Sequence, residues 1–450
     1  MREKGKLFFY LNIAVLCILW IFSGCSEKSN EPTKNEQTGN AQFKLSDFSP
    51  SAECKGCHPN HYNEWEGSMH AYAFVDPINT AWMEGLRNTV GAEELGQFCV
   101  QCHSPIGALT GETPIGFDKE NVDPLVKEGI NCDACHLLEK PSGTTFGQDA
   151  VYHYDVKSGN RYGSIMDPAP NSFHSSEGKQ FYSLSSACLP CHDLFNHNGL
   201  RAEITYTEWL ESLYNMSGIE CQGCHMETYS GQAAVGGPIR DNLHRHDFIG
   251  VDIALIDNFP DKAEQRQKIE QLLQNSVTMT VELPDSVQSN STLQIKATVI
   301  NDQVGHDIPS AVTFVRQMWL EVTVTSGTDT LYKTGYFDGN GDLMDEHSLL
   351  NPNGDPDLVI FQSALYKEGQ SANVFNADSI KIGSIAALQS KSGQYSIPLG
   401  LISGNTVDVK IRLRFRTFPP YAIRDGAAEY IANIPTFEME EYQGSIVVYP

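Results

Sequence analysis

The residues best placed to do chemistry form one pattern, Cys-x-x-Cys-His, which occurs five times in 450 residues. Two thiols at this spacing, followed at once by an imidazole, can attach a haem covalently: the thiols form thioethers with the porphyrin, and the histidine ligates the iron from the proximal side. The pattern therefore predicts five covalently bound c-type haems. The attachment residues are Cys54, Cys57, Cys99, Cys102, Cys132, Cys135, Cys188, Cys191, Cys221 and Cys224, and the proximal ligands are His58, His103, His136, His192 and His225.

Two other uses of paired cysteines compete with this interpretation. Such pairs also build tetrahedral zinc sites, and exported proteins use cysteines for disulfides. Every pair here is followed immediately by histidine, although only 14 residues of the chain are histidine. Ten of the 12 cysteines fall in the motifs, and the other two, Cys17 and Cys25, lie near the N-terminus. We therefore favour haem over zinc, and zinc over disulfides.

The N-terminus predicts export. Residues 1–25 have a basic start, an apolar run from Leu7 to Phe22 and the small-residue sequence Phe22-Ser23-Gly24-Cys25, as in a signal peptide. The last four residues resemble a bacterial lipobox, although Phe22 stands where leucine is usual. The resemblance implies a lipid anchor on Cys25, and Ser26 is compatible with the outer membrane. An uncleaved membrane anchor is the alternative, and either one places the protein in the periplasm or at the cell surface.

The charge limits the partners. The formal net charge is −25, which excludes nucleic acid because its phosphates repel an acidic surface. Redox partner proteins with a basic docking patch fit this charge, and the lipid anchor adds a membrane surface. The acidity could equally serve solubility alone.

The chain divides by composition into segments. A polar stretch predicts a flexible tether. In the cysteine-free C-terminal part, alternating apolar residues predict an antiparallel β-sandwich of immunoglobulin-like outline. The haem region has only some 40 residues per haem, which predicts short helices, long loops and little or no sheet there. The expected fold is thus α+β. The predicted segments are the signal peptide 1–25, the tether 26–50, the pentahaem cytochrome domain 51–250, a connecting helix 251–275 and the β-sandwich 276–450.

The spacing of the motifs suggests a repeat. The second and third motif histidines are 33 residues apart, as are the fourth and fifth, and both later motifs follow Gly-Ile. This favours a two-haem module used twice, with the first haem standing apart.

The distal side of each iron decides between electron transfer and catalysis. A second histidine closes a haem, whereas an open position can bind a small molecule. Nine histidines lie outside the motifs, so the composition permits five closed haems without requiring them.

The first motif and the Tyr62, Trp65, Ser68, His70 and Ala71 positions after it resemble the opening of a multihaem family that includes tetrahaem cytochrome c-554 and the hydroxylamine oxidoreductases. The resemblance implies a distal-ligand role for the histidine of its Trp-x-x-Ser-x-His-Ala element, which is His70. A histidine ahead of Ser-Ser-x-x-Cys-x-x-Cys-His-Asp is a second family element. It corresponds to His174.

Two further family elements are shorter. One is an x-His-x-Phe segment after the last haem, which favours His246 over the neighbouring His244. The other is Asn-x-x-x-Gly-His-x-x-Pro, which implies His306 as a ligand, although Ser310-Ala311 replaces the usual Thr-Gly. A fifth distal ligand would have to come from one of five remaining histidines, or one haem is open. Those five are His61, His153, His197, His244 and His347.

Signs of catalysis are few. The related nitrite reductases use a Cys-x-x-Cys-Lys motif, which is absent here, and none of the 18 tyrosines stands out as a link to a catalytic haem. Asp338–Asp342 begins like a calcium loop but lacks the required glycine and glutamate, so a turn is favoured. We therefore expect an electron-relay protein. The alternatives are a reductase with one open haem for a small nitrogen or sulfur oxyanion, and a β-sandwich docking module wired by haems.

Overall fold

The computed structural model describes residues 41–142, 151–402 and 404–450. The predicted signal peptide, Cys25 and residues 26–40 of the predicted tether lie outside the described residues. Residues 41–450 form one compact unit. Within the described part, no helix is both long enough and apolar enough to cross a membrane.

The haem region consists of short helices separated by loops. Only α3 exceeds eight residues, because Asp76 caps it and Pro77 starts it, while glycine at 91 ends it. Three helices contain attachment motifs in whole or in part. The helices are α1 (Pro59–Glu66), α2 (Met69–Tyr72), α3 (Pro77–Val90), α4 (Ala92–Leu95), α5 (Val100–His103), α6 (Pro105–Thr110), α7 (Pro124–Lys127), α8 (Cys132–His136), α9 (Thr205–Leu210), α10 (Leu213–Met216) and α11 (Cys221–His225).

Four two-stranded ladders tie these loops together. The expectation of little or no sheet in this region therefore understated the strands. The ladders β1–β2, β5–β6 and β7–β8 are antiparallel, and β3–β4 is parallel. The strands are β1 (Leu138–Ser142), β2 (Val151–Tyr154), β3 (Asn160–Gly163), β4 (Ser175–Gly178), β5 (Leu194–Phe195), β6 (Arg201–Glu203), β7 (Thr228–Gln232) and β8 (Ile239–His244).

The C-terminal part is rich in strands, as the alternating pattern predicts. The helix α12 (Lys262–Gln274) leads into it and packs on its last strand. The strands are β9 (Thr278–Glu282), β10 (Ser286–Gln288), β11 (Thr292–Ile300), β12 (Gln317–Ser326), β13 (Asp329–Thr334), β14 (Val359–Ile360), β15 (Ala364–Lys367), β16 (Gln370–Ser371), β17 (Ser379–Lys381), β18 (Ser390–Pro398), β19 (Thr406–Arg416) and β20 (Phe437–Tyr449), with the short helix α13 (Pro420–Ile423) between the last two.

Two sheets form the core of this part. One has the strand order β10-β20-β19-β12-β13, with β14 also on β12, and the other has the order β18-β11-β9. Alternate residues of β11 and β19 are buried, and they join one apolar cluster with residues of β12 and β18. Inward side chains thus come from both sheets. The expected fold class, a helical and looped cytochrome-like region followed by antiparallel strands, is confirmed. The immunoglobulin-like outline stays a prediction.

The strand-rich part packs directly on the haem region. Ile78 of α3 belongs to the large apolar cluster of the sheets. The Trp82 indole N–H, also on α3, donates to the Ala422 carbonyl of α13 at 2.7 Å. Residues of both parts therefore fix the position of α3.

Candidate haem-binding sites

Four of the five motif histidines are held in the same way. Each has its Nδ1 within hydrogen-bond distance of a backbone carbonyl, to which the Nδ1–H donates. An imidazole that donates from Nδ1 presents Nε2 with its lone pair free, which is the form that ligates a metal. The carbonyls belong to Ala233 for His58 at 2.6 Å, Ala73 for His103 at 3.0 Å, Tyr162 for His136 at 2.6 Å and Ile249 for His225 at 2.6 Å.

His192 differs from the other four. Its Nδ1 lies 3.7 Å from a carboxylate oxygen of Glu203, on β6. Although burial disfavours the charged imidazolium, the neighbouring carboxylate raises the pKa of His192 to about 9. Burial instead lowers the pKa of His103, His136 and His225.

Four motif histidines face a second histidine across a gap of the right width for an iron. Metal–imidazole bonds are about 2 Å long, so two imidazoles on opposite sides of one metal place their ring centroids roughly 6 Å apart. The observed centroid separations are 6.3 Å for His58 and His174, 6.1 Å for His136 and His246, 6.5 Å for His192 and His70, and 6.2 Å for His225 and His306. The residues present therefore fit haems held between two histidines.

The structure brings all four histidines implied by the family resemblance to motif histidines. Three of them have Nδ1 beside a backbone carbonyl: His174 at 3.0 Å from the Ser175 oxygen, His246 at 3.0 Å from that of His244 and His306 at 2.7 Å from that of Asp307. The Nδ1 of His70 is buried without a partner. Burial lowers the pKa of His70 to about 3 and of His306 to about 4, so both are neutral near pH 7.

His61 also lies 6.3 Å from His58, but it is three residues further along the chain. Its ring is only 4.6 Å from His246, and its Nε2 lies 3.0 Å from the Tyr229 hydroxyl. Because this nitrogen already has a hydrogen-bond partner, His61 packs beside His246 and does not face an iron-sized gap. His61, Glu64 and His246 are the one metal-sized group of three ligand atoms among the described residues. It contains no motif cysteine, and so the zinc interpretation gains no support.

His103 has no second histidine ring beside it in the described part of the chain. The side chain that faces its Nε2 is Asn79 on α3, whose amide nitrogen is 3.3 Å away. The remaining histidines lie elsewhere: His153 is exposed, His197 is near Glu94, His347 stacks on Tyr421, and His244 has its Nδ1 2.8 Å from the Met226 carbonyl oxygen.

Three contacts, none of them a disulfide bond, join cysteines of different motifs. The thiols of Cys54 and Cys132 are hydrogen-bonded, which lowers the pKa of Cys54. A hydrogen bond with Cys188 lowers the pKa of Cys221 to about 7, and a hydrogen bond with Cys191, together with burial, raises that of Cys102. The first motif thus meets the third, and the fourth meets both the second and the fifth.

Two of these pairs of motifs, one with three and four with five, have the same local structure. The Trp65 indole N–H donates to the Ile130 carbonyl before the third motif, and the Trp209 indole N–H donates to the Ile219 carbonyl before the fifth, both at 2.8 Å. In both pairs the tryptophan follows a tyrosine by three residues and precedes a helix-capping serine by three. These residues are Tyr62 and Ser68 in one pair and Tyr206 and Ser212 in the other.

A serine and a glutamate complete each pair. Ser51 donates to Glu128 and accepts from the amide of Cys132, just as Ser185 donates to Glu220 and accepts from that of Cys221. The repeat therefore joins motifs one and three, and four and five. The predicted pairing of motif two with motif three is wrong, because the second motif lies on a segment between Trp65 and Ile130 and the equal spacing is accidental.

Residues 53–137 match the family model described as cytochrome c554 and c-prime. The structure is similar to that of a penta-heme cytochrome c552 from Thermochromatium tepidum, with a TM-score of 0.62 and 19% identity over 90% of this chain and 100% of that one. This chain has the fold of a multihaem c-type cytochrome. No curated protein matches the sequence.

Other solved structures are far less similar to this cytochrome-like chain. A beta-glucosidase from Listeria innocua has a TM-score of 0.15 and 8% identity, covering 39% of this chain and 16% of its own. The N-terminal domain of the Streptococcus gordonii adhesin Sgo0707 has a TM-score of 0.16 and 12% identity, covering 39% and 32%. Neither carries an argument about function.

Sequence reasoning missed two residues of these sites, Asn79 and Glu203. Neither belongs to a motif, and each reaches its histidine only through the fold. The distance in sequence is 24 residues for Asn79 and His103. No signal in the sequence would have selected them from the other asparagines and glutamates.

Proposed function

We propose that the chain is an extracytoplasmic pentahaem cytochrome that relays electrons between redox partners. It carries five haems on its five motifs, and four of their irons are closed by His174, His246, His70 and His306. The observation that carries this proposal is the set of four histidine pairs with centroids 6.1 to 6.5 Å apart. A closed low-spin haem changes oxidation state with little rearrangement, which suits electron transfer.

The haem count and coordination can be measured on the holoprotein. A pyridine haemochrome assay together with the intact mass should give five haems per chain, and the ferric protein should be mainly low-spin by electron paramagnetic resonance. A count below five, or a spectrum dominated by high-spin iron, would contradict the proposal.

The proposed localisation depends on the lipid anchor at Cys25 and an outer-membrane destination. Replacing Cys25 with serine should release the protein from the membrane fraction without changing its haem spectrum. Serine at position 17, the other leader cysteine, is the matched control and should leave the protein in the membrane fraction. Equal release of both variants would refute the anchor at Cys25.

A second candidate function has one specific observation in its favour. The side chain facing Nε2 of His103 is Asn79, an amide that is a poor iron ligand, whereas the other motif histidines face imidazoles. This supports an open haem at the second motif, able to bind a small nitrogen or sulfur oxyanion. Carbon monoxide should then shift the reduced spectrum by about one haem in five, and Asn79→His should abolish the shift. Asn121→His, at an exposed asparagine, is the control.

The position of His306 bears on the alternative in which the strand-rich part acts as a separate docking module. His306 belongs to the Asn301–Pro309 segment between β11 and β12, and it faces His225 of the last motif. Such a ligand would fix the strands to the haem region. The strand-rich part would then shape the electron-transfer unit and would not act as an independent module.

A further inference from the structure

The two pairs of motifs, one with three and four with five, also share the segment that follows the capping serine. In the first pair the Ile130 amide donates to the His70 carbonyl, and in the second the Ile219 amide donates to the Tyr214 carbonyl, both at 3.0 Å. His70 and Tyr214 each lie two residues after the helix-capping serine. They therefore occupy the same place in the two pairs, although one is a candidate iron ligand and the other is a tyrosine.

In the first pair this segment is covered by other parts of the chain. The Tyr72 hydroxyl accepts from the Leu255 amide at 3.0 Å, and the Tyr72 ring lies 4.9 Å from that of Phe259. The side-chain amide of Gln265, on α12, lies 3.4 Å from the Met69 sulfur. Tyr72 is consequently only 1% exposed. This face of the first pair is therefore a surface that contacts protein.

The equivalent face of the second pair is exposed. Leu213 and Met216, which take the places of Met69 and Tyr72, are 55% and 78% exposed, and Ile219 is 42% exposed. Leu213 and Met216 lie on one side of α10 because they are three residues apart, and the amide hydrogen bond of Ile219 brings that residue back to the helix. We call these three residues the α10 patch. A contiguous exposed apolar patch marks an interaction site.

The surroundings of the α10 patch are acidic. It lies on residues 211–220, which the Tyr214 hydroxyl joins to residues 301–307 by donating to the Asp302 carbonyl at 3.1 Å. These two segments contain four acids and no lysine or arginine, and the acids are Glu211, Glu220, Asp302 and Asp307. Lys391 on β18 offsets part of the charge at Asp307. The charge around the patch therefore favours a partner with a basic surface.

Size and charge select the kind of occupant. A second copy of this chain has a formal net charge of −25 and would be repelled by an acidic face. The predicted tether, residues 26–40, is polar and offers little apolar surface. Three side chains bury much less area than a permanent interface requires, which suits redox proteins, because their brief contacts use small interfaces. A basic redox protein fits all of these conditions.

The α10 patch adjoins the last attachment motif. Ile219 is two residues before Cys221. Cys224 is the one exposed residue among the ten attachment cysteines, all of which lie in the described part of the chain. A partner seated on the patch would therefore lie beside the fifth motif.

We propose that the α10 patch is the docking surface for a basic redox protein, which exchanges electrons with this chain at the fifth haem. The inference rests on the proposed function, because it assumes a haem at Cys221 and Cys224. In each encounter one electron leaves the donor, which is oxidised, and reduces the acceptor. No covalent bond forms or breaks.

The test is the stopped-flow oxidation of the reduced holoprotein by ferric mitochondrial cytochrome c, which is a basic haem protein. The double variant Leu213→Ser, Met216→Ser removes apolar contact area without changing the charge, so the second-order rate constant should fall by about tenfold. The matched control is the double variant Leu349→Ser, Leu350→Ser, at two exposed leucines of the strand-rich part. This control should keep the wild-type rate constant.

A charge reversal tests the acidic surroundings. Glu211→Lys should lower the rate constant at low salt and lose this effect at high salt, because ions screen exposed charges. Glu429→Lys changes the net charge equally at an exposed position of the strand-rich part, and it should have a smaller effect. Equal effects of the two reversals would mean that net charge alone governs the encounter, against a local docking surface.

Two further results would overturn the inference. One is an unchanged rate constant in the serine double variant of the patch, or an equal fall in its control. The other is an equal loss of rate with a neutral small-molecule oxidant, because the defect would then lie in the haems and not in docking. If sedimentation shows a wild-type dimer that the patch variant abolishes, a second copy covers the patch and the proposed partner is wrong. A haem count below five would instead refute the proposed function.

Discussion

On the proposed function, single side chains determine which irons can accept an external ligand. In four sites a second histidine faces the motif histidine, and at the second motif Asn79 faces it instead. An imidazole nitrogen is a strong iron ligand, whereas a carboxamide is weak. At each site, one residue therefore decides between a closed haem that transfers electrons and an open haem that binds small molecules.

We expect that removing His306 opens a second haem. In His306→Ala the iron at His225 would lose its distal imidazole, so the carbon-monoxide difference spectrum of the reduced protein should about double relative to wild type, from one haem to two. His347→Ala is the control, because His347 stacks on Tyr421 at 4.0 Å and faces no motif histidine. An unchanged spectrum in His306→Ala would show that His306 does not bind iron.

The residue-scale predictions depended on local sequence. The motif cysteines and histidines are adjacent in the chain, so their pattern alone predicts the attachment residues. The family resemblance added His70, His174, His246 and His306, which the structure places opposite motif histidines. Asn79 and Glu203 could not be predicted, because their roles depend on how α3 and β6 pack and not on residues nearby in the sequence.

At the scale of elements, two glycines with the same backbone conformation have different surroundings. Gly129 and Gly218 precede Ile130 and Ile219 with φ of 66° and 69°. A Cβ added at Gly129 would lie 2.5 Å from the His70 carbonyl oxygen, whereas one at Gly218 would meet nothing within 4 Å. Only Gly129 therefore allows the chain to pass close to the backbone of the segment that carries His70.

Alanine at these two positions should therefore have unequal effects. Gly218→Ala should cost about 1–2 kcal/mol of stability, for the left-handed conformation alone. Gly129→Ala should cost more and should also displace His70, so that carbon monoxide binds an additional haem. Guanidinium denaturation and the carbon-monoxide difference spectrum measure the two effects. Equal losses of stability, with no change in the spectrum, would contradict this account.

Equal intervals between the motifs do not identify which motifs form a structural pair. The 33-residue interval is equal in two places, yet the shared hydrogen bonds of Trp65 and Trp209 join motif one to three and motif four to five. A segment with a haem motif of its own lies inside the first pair. A count of residues cannot distinguish an inserted segment from a repeated one, while strand alternation in β11 and β19 gave the sheets correctly.

A buried glutamate on α9 should make stability depend on pH. Burial, and the charge of Asp307, raise the pKa of Glu208 to about 8. The folded state then holds this proton more tightly than the unfolded state does, so the contribution of Glu208 falls as pH rises from about 5 to 8. A side-chain oxygen of Glu208 also accepts from Ser310 and the Asp307 amide, which joins α9 to the segment after β11.

Glu208→Gln should remove that contribution to the pH dependence. The unfolding free energy of the variant, measured by denaturant titration at pH 5, 6.5 and 8, should fall less across the series than that of wild type. The exposed Glu211→Gln next to α9 should retain the wild-type slope. Equal slopes for wild type and Glu208→Gln would mean that Glu208 is ionised throughout.

At the scale of the whole molecule, net charge determines encounter with partners. The formal charge of −25 gives a long-range attraction for a basic redox protein and repulsion for an acidic one. We expect the second-order rate constant for electron exchange with a basic redox protein to fall by about tenfold or more between low and high salt, as the Debye length shortens. Stopped-flow measurements over a salt series test this. A neutral small-molecule reductant should show no such dependence.

The position of His306 has a consequence for how the protein is made. The last attachment motif ends at His225, and the histidine that faces it lies in the segment after β11. A ribosome releases the N-terminal half first, so under the proposed export all five attachment sequences would leave the cytoplasm before His306 does. A chain truncated after β11 would carry every attachment sequence, yet it would lack the group that faces His225. The site at His225 would therefore gain its second histidine only after the strand-rich half has been translated and exported.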